Sequence, residues 1–290
     1  MDAIVMKKIL VTGANGQLGS EIKFLSNGVE AEFIFTDKEE LDITSSEKIL
    51  EFYQSTPFDA IINCAAYTAV DKAESDVDLA YSINASAVGH LASLALEKGL
   101  KMIHISTDYV FDGKAYRPYS ADDVPNPSSI YGKSKEKGEN LMLSINPPNS
   151  VIIRTSWVYS SFGHNFVKTM LRLGTEKPTL NVVSDQIGSP TYARDLASAI
   201  LEILPKLASD GCKIYHYSNE GTASWFDFAL AIMEMKELPC QILPIPTEAY
   251  PLPAPRPFFS LLNKSAIKAD FDLKIPHWRV SLKNALELIS

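Results

Sequence analysis

Cysteine and histidine are scarce in this chain, and neither forms a pattern typical of a metal site. The three cysteines, Cys64, Cys212 and Cys240, are far apart, odd in number and outside any CxxC pair. The cysteines therefore indicate neither a disulfide framework nor a thiolate zinc site. The five histidines are scattered as well, and no two of them stand at metal-ligand spacing. We expect no bound metal and a reducing, cytoplasmic compartment.

A basic surface and long apolar runs are also missing. The 290 residues carry a formal net charge of −8, and the pI is near 5.2, which argues against the broad basic face that binds nucleic acids or anionic membranes. No stretch of about 18 consecutive apolar residues occurs. The first residues, MDAIVMKK, are too short and insufficiently apolar for a signal peptide. We expect a soluble cytoplasmic protein that partners neither nucleic acid nor a membrane.

The chain has instead a regular alternation of short apolar runs and longer helix-like segments. The apolar runs are continuous, which is typical of strands buried on both faces of a parallel sheet. The fold is therefore predicted to be α/β, with a doubly wound parallel sheet of the Rossmann type. The predicted strands are KKILVTG, AEFIFTD, DAIINCA, LKMIHIST, SVIIRTSW and IYHYSN, and the predicted helices include SEKILEFYQS and NASAVGHLASLALEKG.

The regular alternation of predicted strands and helices ends at about Trp157, which indicates a second, smaller domain. We expect residues 1–160 to form a dinucleotide-binding domain and residues 161–290 to supply most of a C-terminal substrate-binding domain. The two interleave, because LNVVSD and KIYHYSN have the character of strands and place residues 180–220 back in the sheet. The proline-dense stretch 243–259, LPIPTEAYPLPAPRPFF, is predicted to be an irregular loop packed beside a pocket, in preference to an exposed SH3-type ligand.

Three glycines follow the first predicted strand at a spacing of three residues. Glycine weakens strands and helices, so Gly13, Gly16 and Gly19 in ILVTGANGQLGSE need a structural reason. Between a strand and a helix, this pattern permits a sharp turn, close approach of the backbone to a pyrophosphate and tight helix packing. The next strand ends at Asp37, where a carboxylate accepts hydrogen bonds from an adenosine ribose. Together these features predict a dinucleotide cofactor.

A phenol and an ammonium group stand four residues apart in YGKSK. On a helix, Tyr131 and Lys135 share one face, and a nearby cation lowers the pKa of a phenol towards the range in which it transfers protons. The strand LKMIHIST ends in Ser106 and Thr107, at the sheet edge where ligands bind. Capping of the strand end is the alternative for Thr107, and His104 is interpreted as a core histidine.

The motifs TGANGQLG, NCAAYTAVDKAE, STDYVFDG, YGKSK and RTSWVY resemble those of the extended short-chain dehydrogenase/reductases, and within them the dTDP-4-dehydrorhamnose reductase family. The similarity continues through HNFVKTMLRLG and VSDQIGSPTYARDLA and covers nearly the whole chain. It implies an enzyme that uses NADH or NADPH to reduce the C4 keto group of dTDP-4-dehydro-6-deoxy-L-mannose to dTDP-L-rhamnose. It also implies catalytic roles for Thr107, Tyr131 and Lys135.

The same resemblance implies binding residues and an assembly state. Some family members dimerise through glutamates that bridge a magnesium ion, but here Arg194 stands where such an acid lies, so we expect a monomer or weak homodimer without that bridge. Arg256, between two prolines, offers paired donors suited to the substrate diphosphate. The implied cofactor-binding residues are Gly13, Gly16, Gln17, Leu18, Asp37, Asp42, Ile43, Ala65, Ala66, Tyr67, Tyr131 and Lys135, and the implied substrate-binding residues are Thr107, Asp108, Trp157 and Arg256.

Two alternatives share the predicted fold. Some proteins of this fold, such as the regulatory β subunit of methionine adenosyltransferase, bind partners without catalysing a reaction, because a fold does not fix a function. The second alternative is an epimerase or dehydratase acting on a nucleotide sugar. A dehydratase typically carries further acidic residues directly after the catalytic threonine, whereas TDYVF supplies only Asp108. The sequence therefore favours simple reduction.

Overall fold

A parallel sheet of six strands lies at the centre of the protein in this computed structural model, which describes residues 8–289. The expectation about a signal peptide falls on residues 1–7 and so lies outside the described residues. The strands are β1 (Lys8–Thr12), β2 (Glu32–Thr36), β3 (Ala60–Asn63), β4 (Lys101–Thr107), β5 (Ser150–Thr155), β6 (Val158–Tyr159), β7 (Thr179–Val183), β8 (Ile187–Gly188), β9 (Thr191–Tyr192), β10 (Cys212–His216), β11 (Ala223–Ser224) and β12 (Gln241–Ile245).

Helices connect the strands, and polar side chains cap several of them. Ser45, Ser129, Asn165 and Ser224 each accept a hydrogen bond from a backbone N–H of the first helical turn that follows, which satisfies a donor that has no partner within the helix. The helices are α1 (Gln17–Leu25), α2 (Ser46–Ser55), α3 (Val70–Ala73), α4 (Val77–Tyr81), α5 (Ala87–Lys98), α6 (Ile130–Ile145), α7 (Phe166–Glu176), α8 (Ala193–Lys206), α9 (Trp225–Met235), α10 (Ser265–Phe271) and α11 (Trp278–Leu288).

The order of strands across the sheet is β10-β5-β4-β3-β1-β2, and every pairing in it is parallel. The chain runs from β1 outward to β2 and then returns past β1 to β3. Connections therefore leave β1 and β3 in opposite directions, and open α/β sheets bind their ligands in the crevice at the carboxyl ends of such strands. The doubly wound parallel sheet predicted from the sequence is confirmed.

Both faces of the sheet are buried. On β1, Ile9 and Val11 pack into a cluster with α1, α8 and α10, whereas Leu10 packs into a cluster with α2, α5 and α6. Burial of a Val, Leu or Ile side chain stabilises the fold by about 1.5–3 kcal/mol. Because each face of the sheet is covered in this way, the consecutive residues Ile9, Leu10 and Val11 of β1 are all apolar.

A third apolar cluster, built from α7, α9, α11 and short strands, forms the second part of the protein. The sequence places LNVVSD in the main sheet, but β7 pairs with β12 in a separate two-stranded parallel sheet, because Leu180 and Val182 pack into this third cluster. Of the two late segments, only β10 joins the main sheet. The stretch 243–259 is predicted from the sequence to be an irregular loop, but its first residues, up to Ile245, belong to strand β12. The boundary between domains at about residue 160 stays a prediction.

One helical stretch, Val77–Lys98, is long and apolar enough to cross a membrane when judged only by length and composition. It consists of α4, a π-helical turn at Ser82–Ser86 and α5. Of the 18-residue window in it that meets this test, 56% is buried inside the protein. Core helices of soluble proteins pass the same test, so this single stretch is weak evidence for a membrane span.

Candidate active site

The glycine turn after β1 is shaped by close backbone packing. Gly13 has a φ of +66°, in the left-handed region that favours glycine, and a Cβ there would lie 2.6 Å from the backbone nitrogen of Ala65. A Cβ on Gly19 would collide with the carbonyl oxygen of Gly13. Gly16 is the N-cap of α1 and has no side chain to cap it. The positive end of the α1 dipole thus faces the cleft, and this arrangement fits a pyrophosphate.

A cleft of about 940 Å³ runs from this turn to the carboxyl end of β4. The glycine turn lines one end of it, and the predicted catalytic residues line the other. One ligand can therefore contact both groups at once. The predicted site residues that line the cleft are Gly13, Gly16, Gln17, Leu18, Asp37, Asp42, Ile43, Ala65, Ala66, Thr107, Asp108, Tyr131, Lys135 and Trp157.

Two carboxylates lie at the end of the cleft nearest β2. Asp37 accepts hydrogen bonds from the backbone N–H groups of Asn15, at 3.2 Å, and Lys38, at 2.8 Å. Asp42 accepts hydrogen bonds from the hydroxyl of Thr44, at 2.6 Å, and from its backbone N–H, at 3.1 Å. The bond from the Thr44 hydroxyl is the main cause that lowers the pKa of Asp42 to about 2. Lys48 Nζ also lies 3.0 Å from Asp42 Oδ2, so this end of the cleft carries charges of both signs.

Two polar residues lie where β4 ends. The Thr107 hydroxyl oxygen accepts a hydrogen bond from the backbone N–H of Tyr109, at 3.2 Å, and its hydroxyl donates to Asp108 Oδ1, at 3.0 Å. Thr107 thus caps a turn and lines the cleft as well. Asp108 is buried, and its Oδ2 has no hydrogen-bond partner. Burial raises the pKa of Asp108 to about 7, so this carboxyl group titrates near neutral pH.

Helix α6 positions Tyr131 and Lys135 on one face, one turn apart. Its N-cap, Ser129, accepts a hydrogen bond from the backbone N–H of Gly132, at 3.1 Å. A Cβ on Gly132 would collide with the carbonyl oxygen of Tyr109, so glycine is what lets the first turn of α6 approach the end of β4. The rings of Tyr131 and Tyr109 meet edge to face, with their centroids 5.4 Å apart.

Burial controls the protonation of both predicted catalytic residues of α6. It lowers the pKa of Lys135 to about 8. It raises the pKa of Tyr131 to about 12, because desolvation outweighs the hydrogen bond with Thr107. The sequence predicts that a neighbouring cation lowers the pKa of this phenol. That prediction is wrong for this structure, and Tyr131 is a neutral phenol at physiological pH.

Trp157 stands in a strained backbone conformation at the edge of the cleft. Its φ is +49°, which is rare for a bulky side chain and requires support from its surroundings. Its ring stacks on Trp225, with centroids 3.7 Å apart, and its carbonyl accepts a hydrogen bond from the N–H of Thr191, at 3.1 Å. A Cβ on Gly188 would lie 2.7 Å from the Trp157 ring. The second part of the protein therefore sets the position of this residue.

Glu21, on α1, is fully buried and already has partners within the chain. Its Oε2 lies 2.7 Å from Nε of Arg194, and its Oε1 accepts a hydrogen bond from the Ser160 hydroxyl, at 2.6 Å. The Arg194 guanidinium also lies over the ring of Phe24, 4.3 Å from its centroid. Across residues 8–289, no group of three or more His, Cys, Asp or Glu side chains is arranged to hold a metal ion.

Comparison with known proteins identifies the family. Residues 6–290 match the family model of the RmlD substrate binding domain. The dTDP-4-dehydrorhamnose reductase of Aggregatibacter actinomycetemcomitans is 41% identical over 96% of this chain and 98% of its own. The chain belongs to the dTDP-4-dehydrorhamnose reductase family. The family predicted from the sequence motifs is confirmed.

Two further relatives match over nearly the full length. The Bacillus subtilis spore coat polysaccharide biosynthesis protein SpsK is 44% identical over 97% of this chain and 98% of its own. The crystal structure of dTDP-4-dehydrorhamnose reductase from Bacillus anthracis, in complex with NADP, superposes with a TM-score of 0.92. It is 39% identical and covers 98% of this chain and 99% of its own.

Two predicted site residues do not line the cleft. The Tyr67 hydroxyl donates a hydrogen bond to Asp76 Oδ2, at 2.8 Å. Arg256 donates one guanidinium N–H to Asp71 Oδ2, at 2.6 Å, and another to the carbonyl of Ala254, at 2.8 Å. The bond from Arg256 is the main cause that lowers the pKa of Asp71. The binding roles implied for Tyr67 and Arg256 stay predictions.

Sequence reasoning missed the residue that anchors the helix carrying Tyr131 and Lys135. Glu139 lies one turn beyond Lys135, and its carboxylate accepts hydrogen bonds from Arg154 Nε, at 3.0 Å, and Nη2, at 2.7 Å. Both side chains of this pair are almost fully buried. The spacing of Tyr131, Lys135 and Glu139 places all three on one face of α6, and this spacing is the signal that could have indicated the anchor.

Proposed function

We propose that this protein reduces the C4 keto group of dTDP-4-dehydro-6-deoxy-L-mannose to give dTDP-L-rhamnose, with NADH or NADPH as hydride donor. The observation that carries the proposal is the single cleft that joins the glycine turn of β1 to Thr107, Tyr131 and Lys135. Membership of the family supports it, since the Aggregatibacter relative is named for this reductase activity and the Bacillus anthracis relative was solved with NADP.

In this proposal the chain supplies acid catalysis and stabilises developing charge. The nicotinamide, when bound, supplies a hydride to C4, and the oxygen on that carbon gains negative charge. Tyr131, which its high pKa keeps protonated, gives its proton to this oxygen. Thr107 donates a hydrogen bond to the same oxygen after its hydroxyl turns from Asp108. Lys135, an ammonium group below about pH 8, holds the ribose of the nicotinamide.

The sugar nucleotide is proposed to lie between the end of β4 and the second part of the protein. Asp108 Oδ2 is buried without a partner, so a hydroxyl group of the sugar can satisfy it. Trp157 offers an aromatic face that its stack on Trp225 holds in place. We propose that the reaction takes place in the cytoplasm. The protein is proposed to be a monomer or a weak homodimer.

The experiment that tests the proposal measures oxidation of NADH and NADPH by the purified protein with a panel of nucleotide keto sugars. The panel contains dTDP-4-dehydro-6-deoxy-L-mannose, its D-glucose-configured epimer and the UDP counterpart of each. We expect the highest kcat/KM with the first compound and formation of dTDP-L-rhamnose. A different preferred sugar would contradict the substrate assignment. No oxidation with any member of the panel would favour the non-catalytic, partner-binding alternative.

Arg256→Ala is expected to raise KM for the sugar nucleotide at least about tenfold and to leave KM for the cofactor nearly unchanged. A hydrogen bond to a charged group contributes about 1.5–3 kcal/mol, and each 1.4 kcal/mol is a factor of ten. In the structure Arg256 pairs with Asp71, so this prediction requires Arg256 to exchange that carboxylate for the substrate diphosphate. Arg279→Ala, which removes an arginine from an exposed pair with Glu234, is the control and is expected to change neither KM. An unchanged KM in Arg256→Ala would remove Arg256 from the site.

NADH is expected to be at least as good a cofactor as NADPH, without exclusion of NADPH. Asp37 is the carboxylate expected beside the ribose, and Glu40 accepts a hydrogen bond from the Asp37 N–H, at 2.8 Å. Carboxylates repel a 2′-phosphate. Lys38 opposes this repulsion, but its Nζ lies 3.7 Å from Glu39 Oε1. Asp37→Asn is expected to raise the ratio of kcat/KM with NADPH to kcat/KM with NADH by about tenfold. Glu32→Gln, at the first residue of β2 and outside the cleft, is the control and is expected to leave this ratio unchanged. A strong preference for NADPH in the unmodified protein would contradict this prediction.

A further inference from the structure

Four side chains form a buried line of contacts that leads from β1 to Lys135. The Thr12 hydroxyl donates to Asn63 Oδ1, at 2.7 Å, and Asn63 Nδ2 lies 3.0 Å from His104 Nδ1. On its other side, His104 Nε2 lies 3.4 Å from Lys135 Nζ. All four side chains are buried. A buried histidine between two polar partners has both ring nitrogens committed, so its tautomer has chemical consequences.

The partners of Asn63 fix the direction of this line. Its Oδ1 also accepts a hydrogen bond from the backbone N–H of Ala65, at 3.2 Å, and a backbone N–H can only donate. Oδ1 is therefore the oxygen, and Nδ2 must donate to His104 Nδ1. A neutral imidazole carries one proton, and burial lowers the pKa of His104 well below its ordinary value. The proton of His104 is thus assigned to Nε2.

The Nε2–H group of His104 points at the nitrogen of Lys135. An ammonium group has three donors and no acceptor, so this contact brings two donors together while Lys135 is charged. When Lys135 loses a proton, its amine accepts from His104 and still donates to the Ile105 carbonyl, at 2.6 Å. The geometry of the pair thus favours the neutral amine.

Other groups around Lys135 act in the opposite direction. The Glu139 carboxylate raises the pKa of Lys135, and a thiolate at Cys64 would act in the same direction. Glu139 is itself paired with Arg154, and burial raises the pKa of the Cys64 thiol to about 12, so the thiol stays neutral. The net result is a pKa of about 8 for Lys135, with burial as the largest cause.

We infer that His104 is a positioning residue for the proposed reduction, and that its Nε2–H, directed by Asn63, holds Lys135 and promotes release of a proton from its ammonium group. The inference rests on the proposed function only for its effect on activity. Lys135 holds the nicotinamide ribose as an ammonium group, so His104 adds to burial in lowering the pH above which that contact weakens. Wild-type kcat is then expected to fall as pH rises through about 8.

Nuclear magnetic resonance of the protein without added cofactor tests the inference directly. With ¹⁵N-labelled histidine, we expect His104 to show a protonated Nε2 and an unprotonated Nδ1 from about pH 6 to pH 9. Titration of ¹³C-labelled lysine is expected to show Lys135 losing its proton near pH 8. The variants His104→Gln and Lys135→Met assign the two signals. A protonated Nδ1 on His104, or a charged imidazolium at neutral pH, would overturn the inference, and both are read from the wild-type protein.

His104→Gln tests the effect on Lys135. The glutamine amide can turn its oxygen towards the ammonium group, so we expect the titration of Lys135 and the alkaline limb of kcat to move up together by about one pH unit. His216→Gln is the matched control, because His216 is equally buried in the same sheet and contacts Arg154, Tyr119 and Phe111. It is expected to leave the titration of Lys135 unchanged.

The outcomes separate this inference from the proposed function. Equal loss of thermal stability in both variants, with an unchanged titration of Lys135 in His104→Gln, would reduce His104 to a structural residue and overturn the inference. Absence of keto sugar reduction would instead contradict the proposed function, while the titration of Lys135 would still decide the role of His104.

Discussion

Tyr131→Phe is expected to lower kcat by about 10² to 10⁴ and to leave the cofactor dissociation constant nearly unchanged. Phenylalanine preserves the edge-to-face contact with the Tyr109 ring, so α6 keeps its place against the end of β4. What the variant loses is the proton donor, since no other group in the proposal gives a proton to the substrate oxygen. Steady-state kinetics with the preferred keto sugar, together with fluorescence titration of NADH, measures both quantities.

Companion variants separate the roles of the three predicted catalytic residues. Thr107→Val is expected to lower kcat less than Tyr131→Phe, because one hydrogen-bond donor is lost and a water molecule can replace it. Lys135→Ala is expected to impair both kcat and cofactor binding. Tyr53→Phe, in α2 and outside the cleft, is the control and is expected to behave like the wild type. A Tyr131→Phe protein that turns over at the wild-type rate would end the assignment of Tyr131 as the acid.

Glu139→Gln is expected to lower the free energy of unfolding by about 3 kcal/mol. Removing one partner of a buried ion pair costs about 3–5 kcal/mol, because it leaves an uncompensated charge, and the glutamine oxygen that remains places the cost at the lower end. Arg154 cannot relieve the cost by losing its proton. Its side chain is only 1% exposed, so water cannot replace the lost partner either. Urea unfolding followed by circular dichroism gives the midpoint and slope from which the change is obtained.

A matched surface pair provides the control for this prediction. Glu176→Gln removes the same charge from the exposed i,i+4 pair with Arg172, whose closest atoms are 2.9 Å apart. An exposed pair of this kind contributes about 0.3–0.5 kcal/mol. Similar losses in the two variants would show that burial does not govern the energetics of the Glu139–Arg154 pair.

The parts of the site that were predictable from the sequence depend on short-range geometry. The positions of Gly13 and Gly19 follow from a strand that must turn at once into a helix, and the pairing of Tyr131 with Lys135 follows from the helical repeat. The position of Asp37 at the edge of the sheet follows from its place directly after the predicted strand β2. Each of these inferences needs only neighbouring residues and the knowledge that the strands are parallel.

The parts that were not predictable depend on contacts between distant segments. Arg256 was expected at the diphosphate, but a carboxylate at Asp71, far back in the chain, holds it in this structure. Trp225 supports Trp157 although no local pattern links the two. The pKa of Tyr131 also depends on how deeply the folded chain buries the phenol, and sequence spacing does not report burial.

The late arrival of β10 has a consequence for synthesis on the ribosome. Every residue of β5 is buried, and one edge of β5 pairs with β10, which follows only after α7, β7 and α8 in the chain. Until β10 has been translated, the backbone N–H and C=O groups along that edge lack their partners, and an open apolar edge invites pairing with other chains. We therefore expect the nascent sheet to be prone to aggregation until its last strand emerges, and a chain cut near residue 160 to keep that edge open.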